Sequence, residues 1–305
     1  MDSKVKALLA RIALFVTAIF WGSSLTVASL IKDFTPNFLL ALRFSIACLL
    51  LAVIFFPRLK KINKEYLLSG FLIGFFLFIA YSSQFFGVMV AEGAPGRSGF
   101  ISASYCVIVP FLAWIFLKER PDKYNILAAI FCLIGLFFVF YTELAKDVTT
   151  GFSAGDLYAL ISGVLFAVHI VAVAKWGKGK DPVVITILQF FFAAIFSTVV
   201  AFVFEKPSFE GVSRNAFLAL AYLAIMCTAV ALLFQTIGQR YTPSSTAALI
   251  LGTEAVFSII FAVVFAGEEL NLASVIGFVF IFLAIIISET KLEFLKKSKG
   301  QKSTF

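Results

Sequence analysis

Residues 67–87 read LLSGFLIGFFLFIAYSSQFFG and carry no charged side chain. A run of this length can cross the hydrocarbon core of a bilayer as an α-helix, which needs about 20 mostly apolar residues. Its apolar residues do not alternate with polar ones, as they would in a lipid-facing β-strand. The stretch therefore predicts a transmembrane helix.

Further stretches of the same character divide the rest of the chain. The ten predicted helices cover residues 12–31, 37–56, 67–87, 98–117, 124–142, 155–174, 183–204, 216–237, 245–266 and 272–289. Hydrophobic residues make up 61% of the 305 residues and the mean hydropathy is +1.03, so almost nothing remains for a soluble domain. We expect an all-α integral membrane protein with ten transmembrane helices.

The last five helices repeat landmarks of the first five in the same order. Pro182 corresponds to Pro36, and the break at 242–245 corresponds to the break at 93–96. Because five is odd, two such modules must face opposite ways in the bilayer. Inverted repeats that enclose a site near the midplane are typical of transporters.

This repeat predicts two inverted five-helix units around a central cavity. The first unit comprises residues 1–142 and the second residues 156–290, with a linker at 143–155 and a basic cytoplasmic tail at 291–305.

The net charge of +8 follows the membrane topology and does not indicate a nucleic-acid partner. Most lysines and arginines fall on one side when the N-terminus is placed in the cytoplasm. They include Lys4, Lys6, Arg11, Arg58, Lys60, Lys61, Lys64, Lys118, Arg120, Lys123, Lys175, Lys178, Lys180 and Arg240. Acidic residues fall mostly on the other side. This positive-inside pattern predicts a multi-pass protein of the cell (cytoplasmic) membrane with both termini in the cytoplasm.

Several short motifs carry a family resemblance when their order and spacing are taken together. They are FWGSS at 20–24, RF at 43–44, IVPFLAW at 108–114, KERP at 118–121, QRYTP at 239–243, AALI at 247–250, Glu254, and GE at 267–268. The chain resembles the ten-helix EamA-type exporters of the drug/metabolite transporter superfamily over nearly its whole length. One departure is that the family often has proline directly after the ninth-helix Glu, where this chain has Ala255. The resemblance therefore gives little support for a kink there.

Glu254, His169 and Arg43 stand well inside predicted spans, where charges are costly and usually face a cavity or a partner. Glu254 could exchange a proton or bind a substrate ammonium, or it could be a structural or gating carboxyl. His169, the only histidine, could line the cavity as a pH-linked group or could be an interhelical hydrogen-bond donor. Arg43 could attract a carboxylate, or it could form a salt bridge or snorkel at the membrane edge.

Polar and aromatic residues complete the predicted cavity wall. Its members are Trp21, Tyr81, Gln84, Ser102, Tyr105, His169, Gln235 and Glu254. Gln84 and Gln235 occupy nearly equivalent places in the two repeats, which suggests a pair across the pseudo-two-fold axis. Arg43, Gln189 and Pro110 are assigned gating or structural roles.

The resemblance implies a secondary transporter that moves an amino acid or a similar small metabolite outward by alternating access. The alternatives are uptake or exchange of another solute, such as a nucleoside, a vitamin or a sugar-like compound, and more remotely a membrane-embedded lipid enzyme or a channel. The lone histidine has no acidic neighbour in sequence, which disfavours the enzyme.

Few other partners are expected. The chain has no G-x-x-x-x-G-K-[ST] loop, so ATP does not drive transport directly. The four cysteines form no C-x-x-C pair, and neither a disulfide framework nor a metal site is indicated. We expect no cofactor, a small-molecule substrate, the lipid bilayer as surroundings, protons as a possible coupling ion, and a monomer.

Overall fold

The computed structural model describes residues 3–91, 93–146, 153–267 and 272–290. Every regular element in these residues is helical. The α-helices are α1 (Ser3–Ser29), α2 (Pro36–Ile54), α3 (Lys64–Met89), α4 (Pro95–Ser102), α5 (Tyr105–Leu117), α6 (Lys123–Lys146), α7 (Ala154–Trp176), α8 (Pro182–Val200), α9 (Arg214–Tyr222), α10 (Ala231–Tyr241), α11 (Ser244–Leu251), α12 (Glu254–Ala266) and α13 (Leu272–Thr290). The predicted tail at 291–305 and residues 147–152 of the predicted linker lie outside the described residues.

Eight helical runs are long and apolar enough to cross a membrane. They are Lys4–Ser29, Pro36–Ile54, Lys64–Met89, Pro95–Leu117, Ala154–Trp176, Pro182–Glu205, Arg214–Tyr241 and Ser244–Ala266. The fifth and tenth predicted helices correspond to α6 and α13. The prediction of an all-α integral membrane protein is thus confirmed.

Proline fixes where several helices begin, because its missing N–H is not needed in the first helical turn. Pro36, Pro95 and Pro182 stand at the first positions of α2, α4 and α8. At the start of α7, Ser153 and Asp156 form a reciprocal capping box. These starts lie within a few residues of the predicted ones.

Two of the spans are interrupted halfway. The run from 95 to 117 divides into α4 and α5, and the run from 244 to 266 divides into α11 and α12. In the second run, Thr253 N donates to Ile250 O and Ala255 N donates to Gly252 O. Hydrogen bonds between residues three apart thus replace the α-helical bonds between residues four apart. The ninth predicted helix is therefore interrupted just before Glu254, although Ala255 stands where the family often has proline.

The long helices pack around these two interrupted runs. Helix α3 packs against α7 and α8, α1 packs against α10 and α12, and α4 crosses α12. Helices α6 and α13 pack together. Large apolar side chains on the outside, such as Val53, Phe204 and Leu272, are 75–77% exposed, as expected of a surface that faces lipid.

Polar contacts tie the loops together at each end of the bundle. At one end, which we call the basic end, Arg58 and Lys61 bind Asp181 at 3.3 and 2.6 Å. At the opposite end, the Glu205 carboxylate accepts hydrogen bonds from the first backbone N–H groups of α2. There Arg97 of α4 also binds Asp156 of α7 at 2.9 Å.

The ion pairs of Asp181 make a testable contribution to stability. Burial alone raises the pKa of this carboxyl, but hydrogen bonds from Lys61 and the Val183 N–H, with the charges of Lys61 and Arg58, outweigh burial and leave the pKa lowered. A carboxyl with a lowered pKa stabilises the fold above its ordinary pKa of 3.8 and loses this contribution as the pH falls below it.

Asp181→Asn should therefore destabilise the protein at neutral pH by about 0.5–1 kcal/mol, because both basic partners are about half exposed. Thermal unfolding of the two proteins across pH would measure this. The difference should shrink in acid, and a difference that is constant with pH would contradict the assignment.

Candidate functional site

A narrow cavity lies at the centre of the bundle, where α1, α3, α4, α7 and α12 meet. Its volume is about 10 Å³, which is barely room for one water molecule. The lining residues are Trp21, Gly22, Ser24, Leu25, Tyr81, Gln84, Gly99, Phe166, Glu254 and Ser258. We call this space the central cavity.

Aromatic rings form one wall of the central cavity. Phe166 is the common member: its ring centroid lies 5.1 Å from that of Tyr81, 6.3 Å from Trp21 and 6.4 Å from Tyr105. The Tyr81 contact is nearly perpendicular, an arrangement in which the positive edge of one ring meets the negative face of the other. Such a wall suits an apolar or cationic group of a ligand.

Glu254 places a carboxyl in the wall of the central cavity. It is the first residue of α12, directly after the interruption, and its side chain is buried. The Tyr105 hydroxyl, from the first residue of α5, lies beside this carboxyl but has no partner within strict hydrogen-bond geometry. Among the described residues no lysine or arginine pairs with Glu254. The two interruptions thus bring Tyr105 and Glu254 together.

Arg43 of α2 is a second buried charge close to the central cavity. It is fully buried, and its Nε donates a hydrogen bond to Thr228 Oγ1 at 3.1 Å. Its guanidinium carbon lies 4.8 Å from the ring centroid of Phe85 and 5.4 Å from that of Tyr81. Both terminal nitrogens lack a hydrogen-bond partner among the described residues. Arg43 is therefore neither salt-bridged there nor snorkelling, and Tyr81 separates it from the cavity.

Gln84 is held on the cavity wall by the interrupted helix. Its Nε2 donates to Ser102 Oγ at 2.9 Å, and that hydroxyl in turn donates to Gly99 O at 3.0 Å. Ser102 thereby positions Gln84 without lining the cavity itself.

A second set of buried polar groups lies between α7, α8 and α10, toward the basic end. His169 Nε2 lies 3.1 Å from Gln189 Oε1, and Gln239 Nε2 donates to Ile170 O at 3.0 Å. His169 Nδ1, Gln189 Nε2, Gln239 Oε1 and both amide atoms of Gln235 have no partner in the described structure. Buried polar atoms are rarely left unpaired, so this polar layer has hydrogen-bonding capacity that the described structure does not use.

Each end of the bundle carries a larger recess. The basic-end recess has a volume of about 520 Å³, and Thr236, Gln239 and Val173 form part of its lining. The opposite-end recess has a volume of about 620 Å³ and reaches Ala28 and Val88. Since Leu25 and Gln84 line the central cavity, about one helical turn separates that cavity from the opposite-end recess.

The structure brings together some of the residues predicted to line a cavity and not others. Trp21, Tyr81, Gln84 and Glu254 line the central cavity. Ser102 and Tyr105 contact lining residues, whereas His169 and Gln235 lie outside the cavity. Pro110 is buried inside α5, and Gln189 belongs to the polar layer. The predicted cavity wall did not include Gly99, Phe166 or Ser258.

Metal-binding residues do not gather in the described part of the chain, where no group of three His, Cys, Asp or Glu side chains could hold an ion. The cysteines are free thiols, although the sulfur atoms of Cys106 and Cys132 lie 2.8 Å apart.

Comparison with known proteins gives consistent results. An uncharacterized transporter of Archaeoglobus fulgidus is 31% identical over 284 residues, which cover 93% of this chain and 86% of the relative. The uncharacterized transporter YyaM of Bacillus subtilis is 24% identical over 294 residues, or 94% and 95% of the two chains. One crystal structure, at 21% identity, shares the fold with a TM-score of 0.74 over 94% of this chain and 98% of that one.

The family comparison covers both halves of the chain. The model of the EamA-like transporter family matches residues 8–141 and again residues 153–290. The resemblance expected from the short motifs is therefore confirmed, and the chain belongs to the EamA-like transporter family.

Proposed function

We propose that this protein is a secondary transporter that exports an amino acid or a closely related metabolite by alternating access. The observation that carries the proposal is a pair of buried, opposite and mutually unpaired charges. Arg43 contacts the ring of Tyr81, and Tyr81 and Glu254 both line the aromatic-walled cavity. A zwitterion offers each charge the partner that it lacks in the described structure.

The chemistry of each end of an amino acid fits one of these groups. A guanidinium with two free terminal nitrogens matches a carboxylate in a bidentate geometry. Glu254 and the faces of Trp21 and Phe166 suit the ammonium group. Because Tyr81 stands between Arg43 and the cavity, its side chain must move for the carboxylate to reach the guanidinium.

The interrupted helices support an inverted-repeat architecture. Helices α4 and α5 contain 8 and 13 residues, and α11 and α12 also contain 8 and 13. The family model matches each half of the chain separately, which is expected if each half is one repeat of five helices. Interrupted helices that meet at a central site are characteristic of transporters built this way.

The path we infer runs from the basic-end recess through the polar layer to the central cavity, and then to the opposite-end recess. Gln239 belongs to both the basic-end recess and the polar layer, which joins these two parts. The central cavity is far smaller than a metabolite, so the described conformation is occluded at its centre.

The direction of export and the reaction that drives it complete the proposal. The positive-inside rule predicts that the basic end lies on the cytoplasmic side of the cell membrane. Export would therefore run from the basic end to the opposite end. Proton exchange at Glu254 is the coupling reaction we propose, with the transporter acting as a monomer.

Counterflow in vesicles tests the proposal. Purified protein is reconstituted with one unlabelled amino acid inside, and the uptake of the labelled compound is measured. We expect saturable counterflow that is competed by amino acids, and much less by the matched amine without a carboxylate or the matched carboxylic acid without an amine. Equal competition by either fragment would contradict zwitterion recognition, and no flux of any amino acid would overturn the substrate class.

A further inference from the structure

We propose that an anionic phospholipid binds in a groove at the basic end, with its phosphate among basic side chains and its acyl chains against apolar ones. The groove lies between α2, α3, α8 and α10 and has a volume of about 600 Å³. We call it the basic groove. This site is separate from the central cavity and does not depend on which solute is transported.

The charge of the basic groove calls for an anion. Arg58, Lys61, Lys180 and Arg240 line it, and Asp181 is the sole carboxylate among the described lining residues. Asp181 is already bound by Arg58 and Lys61, and its backbone N–H donates to the Tyr66 hydroxyl. Lys180 and Arg240 take part in no ion pair within the described structure. The lining thus has an excess of three positive charges.

The walls of the basic groove show that the anion carries apolar chains. Phe55, Leu233 and Ile237 line it next to the cations. Val53 and Ile54, directly before Phe55, are 75% and 58% exposed on the surface that faces lipid. An amphipathic groove that is open to the bilayer and basic at the membrane surface fits a phospholipid headgroup.

The opposite-end recess shows that volume alone does not produce this pattern. Its volume of about 620 Å³ is nearly the same, but Lys32 is the single charged residue in its described lining. The tail at 291–305 is another candidate occupant of the basic groove, and its charge argues against it. It contains Lys291, Lys296, Lys297, Lys299 and Lys302 with only one acidic residue, Glu293.

Thermal unfolding of the full chain in detergent tests the proposal, with phosphatidylglycerol, phosphatidylcholine of the same acyl chains, or inorganic phosphate as additive. A ligand that binds only the folded state raises the unfolding temperature. We expect phosphatidylglycerol to raise it in a saturable way, and the other two additives to have little effect. An equal rise with phosphatidylcholine would contradict the role of charge. An equal rise with inorganic phosphate would mean that the phosphate group binds without acyl chains, and the assignment to a lipid would be wrong.

Variants assign the effect to the groove. The double variant Lys180→Gln/Arg240→Gln should raise the apparent Kd for phosphatidylglycerol about 30-fold. This ratio corresponds to a loss of about 1 kcal/mol of binding free energy for each basic residue removed. Arg240→Gln alone changes an exposed side chain and should raise it about fivefold by the same conversion. Lys180→Arg with Arg240→Lys should preserve binding.

Lys32→Gln is the matched control at the other end of the bundle. It removes one cation from the recess of similar volume and should leave the apparent Kd for phosphatidylglycerol unchanged. If Lys32→Gln weakens binding as much as Arg240→Gln does, the lipid is bound by general surface charge and the assignment to the basic groove is wrong.

Discussion

Replacing Arg43 with methionine should abolish amino-acid flux and at the same time stabilise the protein. A buried donor left without a partner lowers the free energy of unfolding by about 1–3 kcal/mol. Both terminal nitrogens of Arg43 are such donors. Methionine fills a similar volume without charge, so Arg43→Met should raise the free energy of unfolding by about 1–3 kcal/mol. Reversible unfolding in mixed micelles measures this gain.

The loss of flux has the same origin. If the guanidinium binds the carboxylate of the substrate, removing it breaks a buried charge pair, which costs about 3–5 kcal/mol. Counterflow efficiency should therefore fall about 10²- to 10³-fold, since each 1.4 kcal/mol is a factor of ten. Reduced stability together with lost flux would instead make Arg43 a structural brace, and retained flux would contradict carboxylate binding.

Thr228→Val is the matched control for Arg43→Met. It removes the one side-chain acceptor of the guanidinium, the bond from Nε at 3.1 Å, and leaves the charge in place. A further unpaired donor should then destabilise the fold by about 1–3 kcal/mol, while most of the flux is kept. The two variants are thus expected to change stability in opposite directions and flux to very different extents.

The helices themselves were largely predictable from sequence. In a bilayer, the backbone N–H and C=O groups of a long apolar run without alternating polar residues find hydrogen-bond partners by forming a helix. Prolines such as Pro36 and Pro182 define where the helices begin. The interruptions at 103–104 and 252–253 were not foreseen, because alanine, serine, glycine and threonine inside an apolar run carry no helix-breaking signal comparable to proline. The interrupted runs pack against each other, α4 against α12 and α11 against α5.

The cavity was predictable in its polar members and in Trp21 and Tyr81, but not in its small residues or in Phe166. Glu254 and Gln84 stood out because polar groups are rare in membrane spans. Phe166 is one of 39 phenylalanines, a residue type too common in this chain to mark a site. Gly99 and Ser258 lie where α4 and α12 approach closely; small residues in the fourth and ninth predicted helices indicate such an approach, but not which of them line the cavity.

A large stability loss from a single methyl group is expected at Gly99→Ala. A Cβ at residue 99 would meet the Oγ of Ser258 on α12 and lie 2.7 Å from its Cβ, whereas Leu25 Cδ1 at 3.5 Å is an ordinary contact. Overpacking of this kind costs about 1–3 kcal/mol because the helices must separate. Since α4 and α12 both line the central cavity, flux should fall as well.

Ser258→Gly should rescue Gly99→Ala, because it removes the two atoms that the new methyl group would meet. Ser258→Gly alone is also destabilising, by about 1 kcal/mol for glycine in a helix, and it loses the bond from Ser258 Oγ to Pro95 O. The double variant should therefore be more stable than the sum of the two single effects by about 1–3 kcal/mol. The four proteins are compared by reversible unfolding and by counterflow.

Gly22→Ala shows whether that rescue is specific to the contact. Its Cβ would lie 2.8 Å from the backbone N of Ser258 and 2.9 Å from the carbonyl carbon of Phe257, atoms that every residue type at 258 retains. Ser258→Gly should consequently give no rescue of Gly22→Ala. Equal rescue of both alanine variants would mean that glycine at 258 loosens α12 as a whole, and the proposed close contact between Gly99 and Ser258 would then not limit stability.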